Sequence, residues 1–278
     1  MANIKGSNYD KPKFSVAIKS EAYQKLINDT LGDKKAAMNF IADITSAVSA
    51  SSILQSCDAG TILTAGLQAQ RLNLPLTSGL GFVYIVPYNY RAQFQVGYKG
   101  YIQLAQRSGQ FEKLGVKEVH KGELKGYDEF GDELVQFDHK YDNEEVIGYF
   151  AYFKLLNGFK KTLYWTKEQC QAHAKKYSKS YGNGSTTDLW SNQFSLMASK
   201  TVIKQLLSKY APLSTELQQA IISDQAVIEQ NGNYNYVDNP SQFEELGVHE
   251  LEKTESDTPE ETTVEKNVAA SPADIFDI

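Results

Sequence analysis

Between Arg91 and Gln110 the chain reads RAQFQVGYKGYIQLAQRSGQ, in which cations and amides alternate with apolar and aromatic residues and no acid occurs. In its first part Gln93 and Gln95 alternate with Phe94 and Val96, so a half-buried strand would turn both amides to one side. From Lys99 to Gly109 the period becomes helical, and Lys99, Gln103, Gln106 and Arg107 fall on one face at three- and four-residue steps. Ammonium, guanidinium and amide groups in such a row grip phosphate oxygens without reading bases. Gly97 and Gly100 would let a second backbone come close. Lys200 and Lys204, one helical turn apart, with Lys209 further along, offer a second wall for the same groove.

The aromatic residues nearby have two readings. Tyr84, Tyr88, Tyr98 and Tyr101 could stack on bases, but tyrosines beside strands more often pack, and of the four only Tyr98 joins the candidate site. Arg91 is a candidate contact or the cap of a turn, and Trp165 and Trp190 read as packing residues.

Other chemistries find little support. The run DEFGDELVQFDHKYDNEE holds eight acids, yet a two-metal nuclease needs carboxylates converging from several elements, and this run reads as a polar loop between strands. No GK[ST] is present, so the phosphate loop of an ATP-driven protein is missing, and no nucleophile elbow occurs. The four histidines lack zinc-site spacing and the two cysteines lie far apart, which suits a reduced, metal-free interior. Neither an enzyme nor a bound cofactor is expected. Nothing in these residues speaks to a dependence on Mg2+.

The net charge of -6 conceals a strong asymmetry. From Asn231 onward there are 12 acids against Lys253 and Lys266, whereas residues 1–230 hold 26 bases and 22 acids. Within that body, residues 154–210 carry ten lysines against Glu168 and Asp188. Such a block is an electrostatic footprint for a polyanion, or else a solvated helix face.

The elements that must position these residues follow from periodicity. Helices are expected over SEAYQKLINDTL, over KAAMNFIADITSAVSASSILQS, and over DAGTILTAGLQAQRLN with Asp58 as N-cap. Two strands, GFVYIVPY and RAQFQVGY, meet at Asn89-Tyr90 as a hairpin, and the helix over residues 99–109 follows. KLGVKEVH, ELVQFD, EVIGYFAYFKL and FKKTLYWT read as further strands, the last two turning at Asn157-Gly158. KEQCQAHAKKY, LWSNQFSLMASKTVIKQLLSKY and QAIISDQAVIEQ are expected to close the body as helices. The class is α+β: a helical N-terminal region, central antiparallel hairpins packed with helices, and an acidic C-terminal tail. Residues 1–230 form the expected core and residues 231–278 a disordered tail, which is too acidic and too poor in aromatics to offset the entropy of ordering.

Three blocks in order, LPLTSGLGFVYIVPY, AQFQVGYKGYIQLAQRSGQ and GYFAYFKLLNGFKKTLYWT, together with MASKTVIKQLLSKY, resemble the RecT family of phage single-strand annealing proteins. The resemblance spans residues 59–213. It implies ATP-independent binding of single-stranded DNA and annealing of complementary strands into duplex during phage recombination. The working form would be a self-assembled ring or helical filament, acting beside a 5′ to 3′ exonuclease in the cytoplasm of a bacterial host. The start of the chain lacks the apolar core of a signal peptide, and no run reaches the roughly 20 apolar residues of a membrane span. A passive protector of single strands is the alternative, since it would show the same basic groove and acidic tail. The terminal PADIFDI is an acidic, apolar tip that suits docking of a partner such as a host single-strand binding protein, competition with DNA for the groove, or mere solubility.

Overall fold

The computed structural model describes residues 12–236 apart from 78, 130, 179 and 185–187. Five helices come first: α1 (Phe14–Ala17), α2 (Glu21–Leu31), α3 (Lys34–Ser49), α4 (Ser52–Gln55) and α5 (Ala59–Arg71). Ser20, Asp33, Ser51 and Asp58 each accept a backbone N–H in the first turn of the helix they precede, which satisfies donors a helix start leaves open. Ser51 explains one departure from periodicity. The single helix expected over residues 35–56 is two, because Ser51 takes an extended conformation and caps α4. Ile27, Phe40, Ile44, Val48, Ile62 and Leu63 form the core of this bundle.

The middle of the chain supplies the sheets. Strands β1 (Val83–Tyr88) and β2 (Arg91–Val96) pair antiparallel with Tyr88 opposite Arg91, and α6 (Tyr98–Arg107) follows at once. Strands β3 (Phe111–His120), β4 (Leu124–Tyr127), β5 (Glu133–Val135), β6 (Val146–Leu155) and β7 (Lys160–Thr166) come next. β3, β6 and β7 make a three-stranded antiparallel sheet with β6 central, and β4 pairs with β5. β4 was not expected, since LKGY shows no strand alternation. The β6–β7 turn falls at residues 157–158 as read, with Gly158 at φ 90°.

Helices α7 (Lys167–Tyr177), α8 (Leu189–Asn192), α9 (Phe194–Tyr210) and α10 (Thr215–Ser223) and the short hairpin β8 (Val227–Ile228) with β9 (Tyr234–Asn235) complete the described chain. α9 packs on β3, β6 and β7 and also on α6, so it ties the sheet to the first hairpin. Two expected helices are interrupted. Gln193, at φ -140° and ψ 50°, separates α8 from α9. The helix expected over residues 219–230 ends at Ser223, because Gln225 at φ 68° turns the chain so that Gln225 and Ala226 bond to Phe94 on β2. Composition places the end of the body at Gln230, yet the fold runs on: Tyr236 is buried and its hydroxyl donates to the Ile222 carbonyl. The rest of the acidic tail, and its tip, lie outside the described residues.

The α+β class is what the structure has. Both cysteines are free and buried. Burial, helped by Asp58, pushes the Cys57 thiol up to about 11, and burial with Glu168 pushes Cys170 up to about 12, so neither is a thiolate nucleophile at neutral pH. Among the described residues no helix is long and apolar enough to cross a membrane, and no three His, Cys, Asp or Glu side chains gather as metal ligands would.

Candidate nucleic-acid interface

A cleft of about 270 Å³ opens between the β1–β2 hairpin and the α7–α8 segment. Gln93 and Gln95 line its floor, and Tyr88, His173, Tyr177 and Trp190 contribute to its walls. It adjoins a smaller depression at the start of α6, where Gly97 and Tyr98 face Gln193, Leu196 and Lys200 of the α8–α9 region; Gln95, Leu189 and Met197 belong to both. The floor amides are the ones read from the strand alternation. They are buried, and they bond within the protein: Gln95 Nε2 donates to Gln93 Oε1 at 2.8 Å, and Gln93 Nε2 to the Gln225 carbonyl at 2.6 Å.

The walls were not legible in advance. His173 packs at a tilt 4.4 Å from Tyr177 and 6.0 Å from Trp190, ring centre to ring centre, and Trp190 meets Phe194 edge-on at 5.7 Å. Tyr88 lies some eighty residues earlier, so no window could show that these rings share a cleft. Trp190 is a packing residue, as read. α7 starts from a capping box at Thr166 and Gln169 and ends with Lys175 and Lys176 exposed beside that aromatic wall. Those two lysines belong to the basic block, but spacing alone did not single them out.

α6 presents one face as the periodicity requires. Gly100, Tyr101, Leu104 and Ala105 are buried, Lys99 and Gln106 are exposed, and Gln103 is half-buried between them. Tyr98 is half-buried at the depression, and Tyr101 is wholly buried. Burial, then the neighbouring Asp224 carboxylate, pushes the Tyr101 hydroxyl well above its ordinary pKa, so this tyrosine is core.

Several candidates have another employment. Arg107 reaches across to the end of α5, where Nη1 donates to the Leu72 carbonyl at 2.8 Å and Nη2 to the Asn73 carbonyl at 2.5 Å. It satisfies acceptors that a helix C-terminus leaves open. Arg107→Ala should therefore lower stability by about 1–2 kcal/mol, a value at the low end for charge-assisted bonds because the site is exposed. Arg107→Lys should not restore it, since one ammonium cannot match the fork. Urea unfolding of the three proteins measures this, and an unchanged midpoint for Arg107→Ala would show the clasp to be idle.

Gly97 and Gly100 do admit a backbone, but it is the protein's own. A Cβ at Gly97 would run into the Gly81 carbonyl, and one at Gly100 into the Phe82 carbonyl. The Gly97 N–H donates to that Phe82 carbonyl at 2.8 Å. Arg91 is ion-paired with Glu229. Lys209 is exposed in the last turn of α9, about 13 Å along the helix from Lys200. Its neighbour Tyr210 lies under the Lys161 ammonium at 5.5 Å, on the sheet side.

Lys200 and Lys204, read as a second groove wall, turn their ammonium groups inward. Their side chains are 6% and 11% exposed, and both ammonium groups pair with the fully buried Asp224 carboxylate, at 2.8 and 2.9 Å. Asp224 Oδ1 also accepts the Val96 N–H at 2.9 Å. Burial alone would raise the Asp224 pKa, but the two ammonium groups outweigh it and bring it down to about 2. Burial lowers the Lys200 pKa despite that carboxylate. The i, i+4 spacing was right about a shared face, but that face points inward.

Together the hairpin, α6 and the α7–α9 segment define an α+β protein with an amide-floored, aromatic-walled cleft and exposed lysines beside it, an arrangement suited to a flexible polyanion that carries flat rings. The chain belongs to the RecT family, whose model matches residues 38–238. It is 39% identical over 246 residues to the uncharacterized protein YqaK of Bacillus subtilis, covering 88% of this chain and 83% of that one. It is 30% identical over 182 residues to protein RecT of Escherichia coli, covering 62% and 65% respectively. Membership places the chain among proteins that bind single-stranded DNA, self-associate and anneal strands in recombination.

Proposed function

We propose that this protein binds single-stranded DNA along the hairpin–α6 side and anneals complementary strands without ATP or another cofactor, as a ring or filament of many copies. The observation that carries this reading is the groove itself. Exposed Lys99 and Lys175 lie on the helices beside a floor whose amides are already bonded inward, so cations are available to phosphate while little is on offer to read a base sequence; the Lys176 ammonium is held by the Tyr177 hydroxyl at 2.6 Å. Each subunit makes few contacts, and assembly sums them along one strand. Gln103 and Gln106 extend the Lys99 face, and Tyr98 stands at its foot. Lys209, exposed in the last turn of α9, suits a contact with the second strand or a neighbouring copy. A 5′ to 3′ exonuclease that produces the single strands, and a host single-strand binding protein that coats them, are the fitting partners.

The test is annealing of complementary fluorescent oligonucleotides with no nucleotide present. Wild type should accelerate pairing, and Lys99→Ala should weaken single-strand binding several-fold, with the slope of log affinity against log salt reduced by about 0.7 for the lost phosphate contact. Binding without acceleration would leave a passive protector instead. An unchanged salt slope in Lys99→Ala would remove this lysine from the path of the strand.

A further inference from the structure

Tyr90 is the second residue of the two-residue turn joining β1 to β2. Asn89 and Tyr90 have φ of 46° and 60°, the left-handed backbone that this tight hairpin turn requires at both positions. Asparagine tolerates it, but the second position favours glycine, and a bulky aromatic residue there is a conformational outlier. Burial does not compensate for this, since Tyr90 is 67% exposed. What holds the turn is backbone: the Asp58 N–H donates to the Tyr90 carbonyl at 2.8 Å, and Tyr88 pairs with Arg91. None of this uses the ring, which is left open to a contact outside the fold.

Beside the ring lies a cavity of about 600 Å³, lined by Asp58, Thr61, Asn89, Arg91, Glu229 and Gln230 among others. Its two carboxylates outnumber its one guanidinium, which Glu229 already holds. Phosphate is therefore unwelcome, whereas the side-chain amides of Asn89 and Gln230 suit the sugar of a neutral nucleoside. The turn also lies at the far end of β2 from α6, about 17 Å along the strand, and so offers a separate contact.

We propose that Tyr90 is a stacking platform for a base of the bound single strand, with the nucleoside at the mouth of this cavity. This rests on the single-strand reading above and adds to it a contact to base faces. Stacking tolerates any sequence and leaves the pairing edge open, as annealing requires.

The experiment measures fluorescent oligodeoxythymidylate binding, its salt slope and thermal unfolding for wild type, Tyr90→Gly and Tyr90→Phe. Tyr90→Gly should melt a few degrees higher, because the turn is relieved, yet bind about tenfold more weakly with an unchanged salt slope. Tyr90→Phe should bind within about twofold of wild type. If wild type binds and Tyr90→Gly binds equally well, this proposal falls alone. Equal losses in Tyr90→Phe and Tyr90→Gly would mean a hydroxyl contact and overturn stacking. Wild type that does not bind the strand overturns the annealing reading and this proposal with it.

Discussion

Asp224→Asn should cost about 3–5 kcal/mol of stability, on the order of 10 °C in melting temperature for a chain of this size. The carboxylate is fully buried, and it neutralises Lys200 at 2.8 Å and Lys204 at 2.9 Å while accepting the Val96 N–H. Asparagine keeps an acceptor for that N–H but leaves two ammonium groups facing each other out of water. The severity comes from that stranded charge more than from any net worth of the ion pairs. A triple variant, Lys200→Met/Lys204→Met/Asp224→Asn, should accordingly recover most of the loss. The triple variant also separates two roles for the lysines. If they brace the fold, its single-strand binding keeps the wild-type salt slope; if they contact phosphate, the slope falls by about 1.4 for two lost contacts. A melting temperature for Asp224→Asn equal to that of wild type would refute the brace.

The same cluster sets the acid limit of the fold. Asp224 titrates at about 2 when folded, against an ordinary value of 3.8. A depressed carboxylate contributes stability that is present above its unfolded pKa and lost as pH falls through the folded one. Between about pH 4 and pH 2 the protein should lose on the order of 2 kcal/mol from this group, and the triple variant should lack that component. Lys200 acts in the same direction at the alkaline end, since its lowered pKa also makes stability rise with pH across the interval between its folded and unfolded values.

What could be read in advance were features written in neighbouring residues. The turn at Asn89-Tyr90, the turn at residues 157–158, the Asp58 cap and the exposed face of α6 each depend on a window of a few positions, where period and turn chemistry act. Features that needed a distant partner could not be read. Lys200 and Lys204 look like a basic stripe until Asp224 is known to lie against them, and Asp224 itself sat inside a stretch whose apolar spacing imitates a helix. Arg107 looks like a phosphate ligand until the α5 carbonyls come within its reach. The cleft needs Tyr88 from one hairpin and His173, Tyr177 and Trp190 from a segment far along the chain. Residue type marked these as functional or structural candidates, and only tertiary contact shows what each side chain touches.

Gly100→Ala is the substitution in which these two readings give opposite results. If Gly100 serves to admit a DNA backbone, alanine should leave stability unchanged or improve it by up to about 1 kcal/mol, as it does within an exposed helix, and should damage only binding. The structure requires the reverse. A Cβ at this position would run into the Phe82 carbonyl oxygen and lie 2.9 Å from Val96 Cγ1, and neither neighbour is the movable end of a long side chain. The Phe82 carbonyl is fixed by the Gly97 N–H, and Val96 is buried at the end of β2 with its N–H on Asp224. α6 must therefore shift away from residues 81–82. Overpacking of this kind costs about 1–3 kcal/mol, and here it works against a backbone contact that cannot relax by rotating a side chain. The expected net result is a loss of about 2 kcal/mol despite the gain in helix propensity, seen as a melting temperature lower by about 5 °C. Gln106→Ala, on the exposed face of the same helix, should change it by less than about 0.5 kcal/mol. Because Lys99 is the preceding residue, a displaced α6 carries its cation with it, so binding by Gly100→Ala should weaken together with stability. A variant that melts like wild type but no longer binds would return Gly100 to the DNA contact surface and undo the packing assignment.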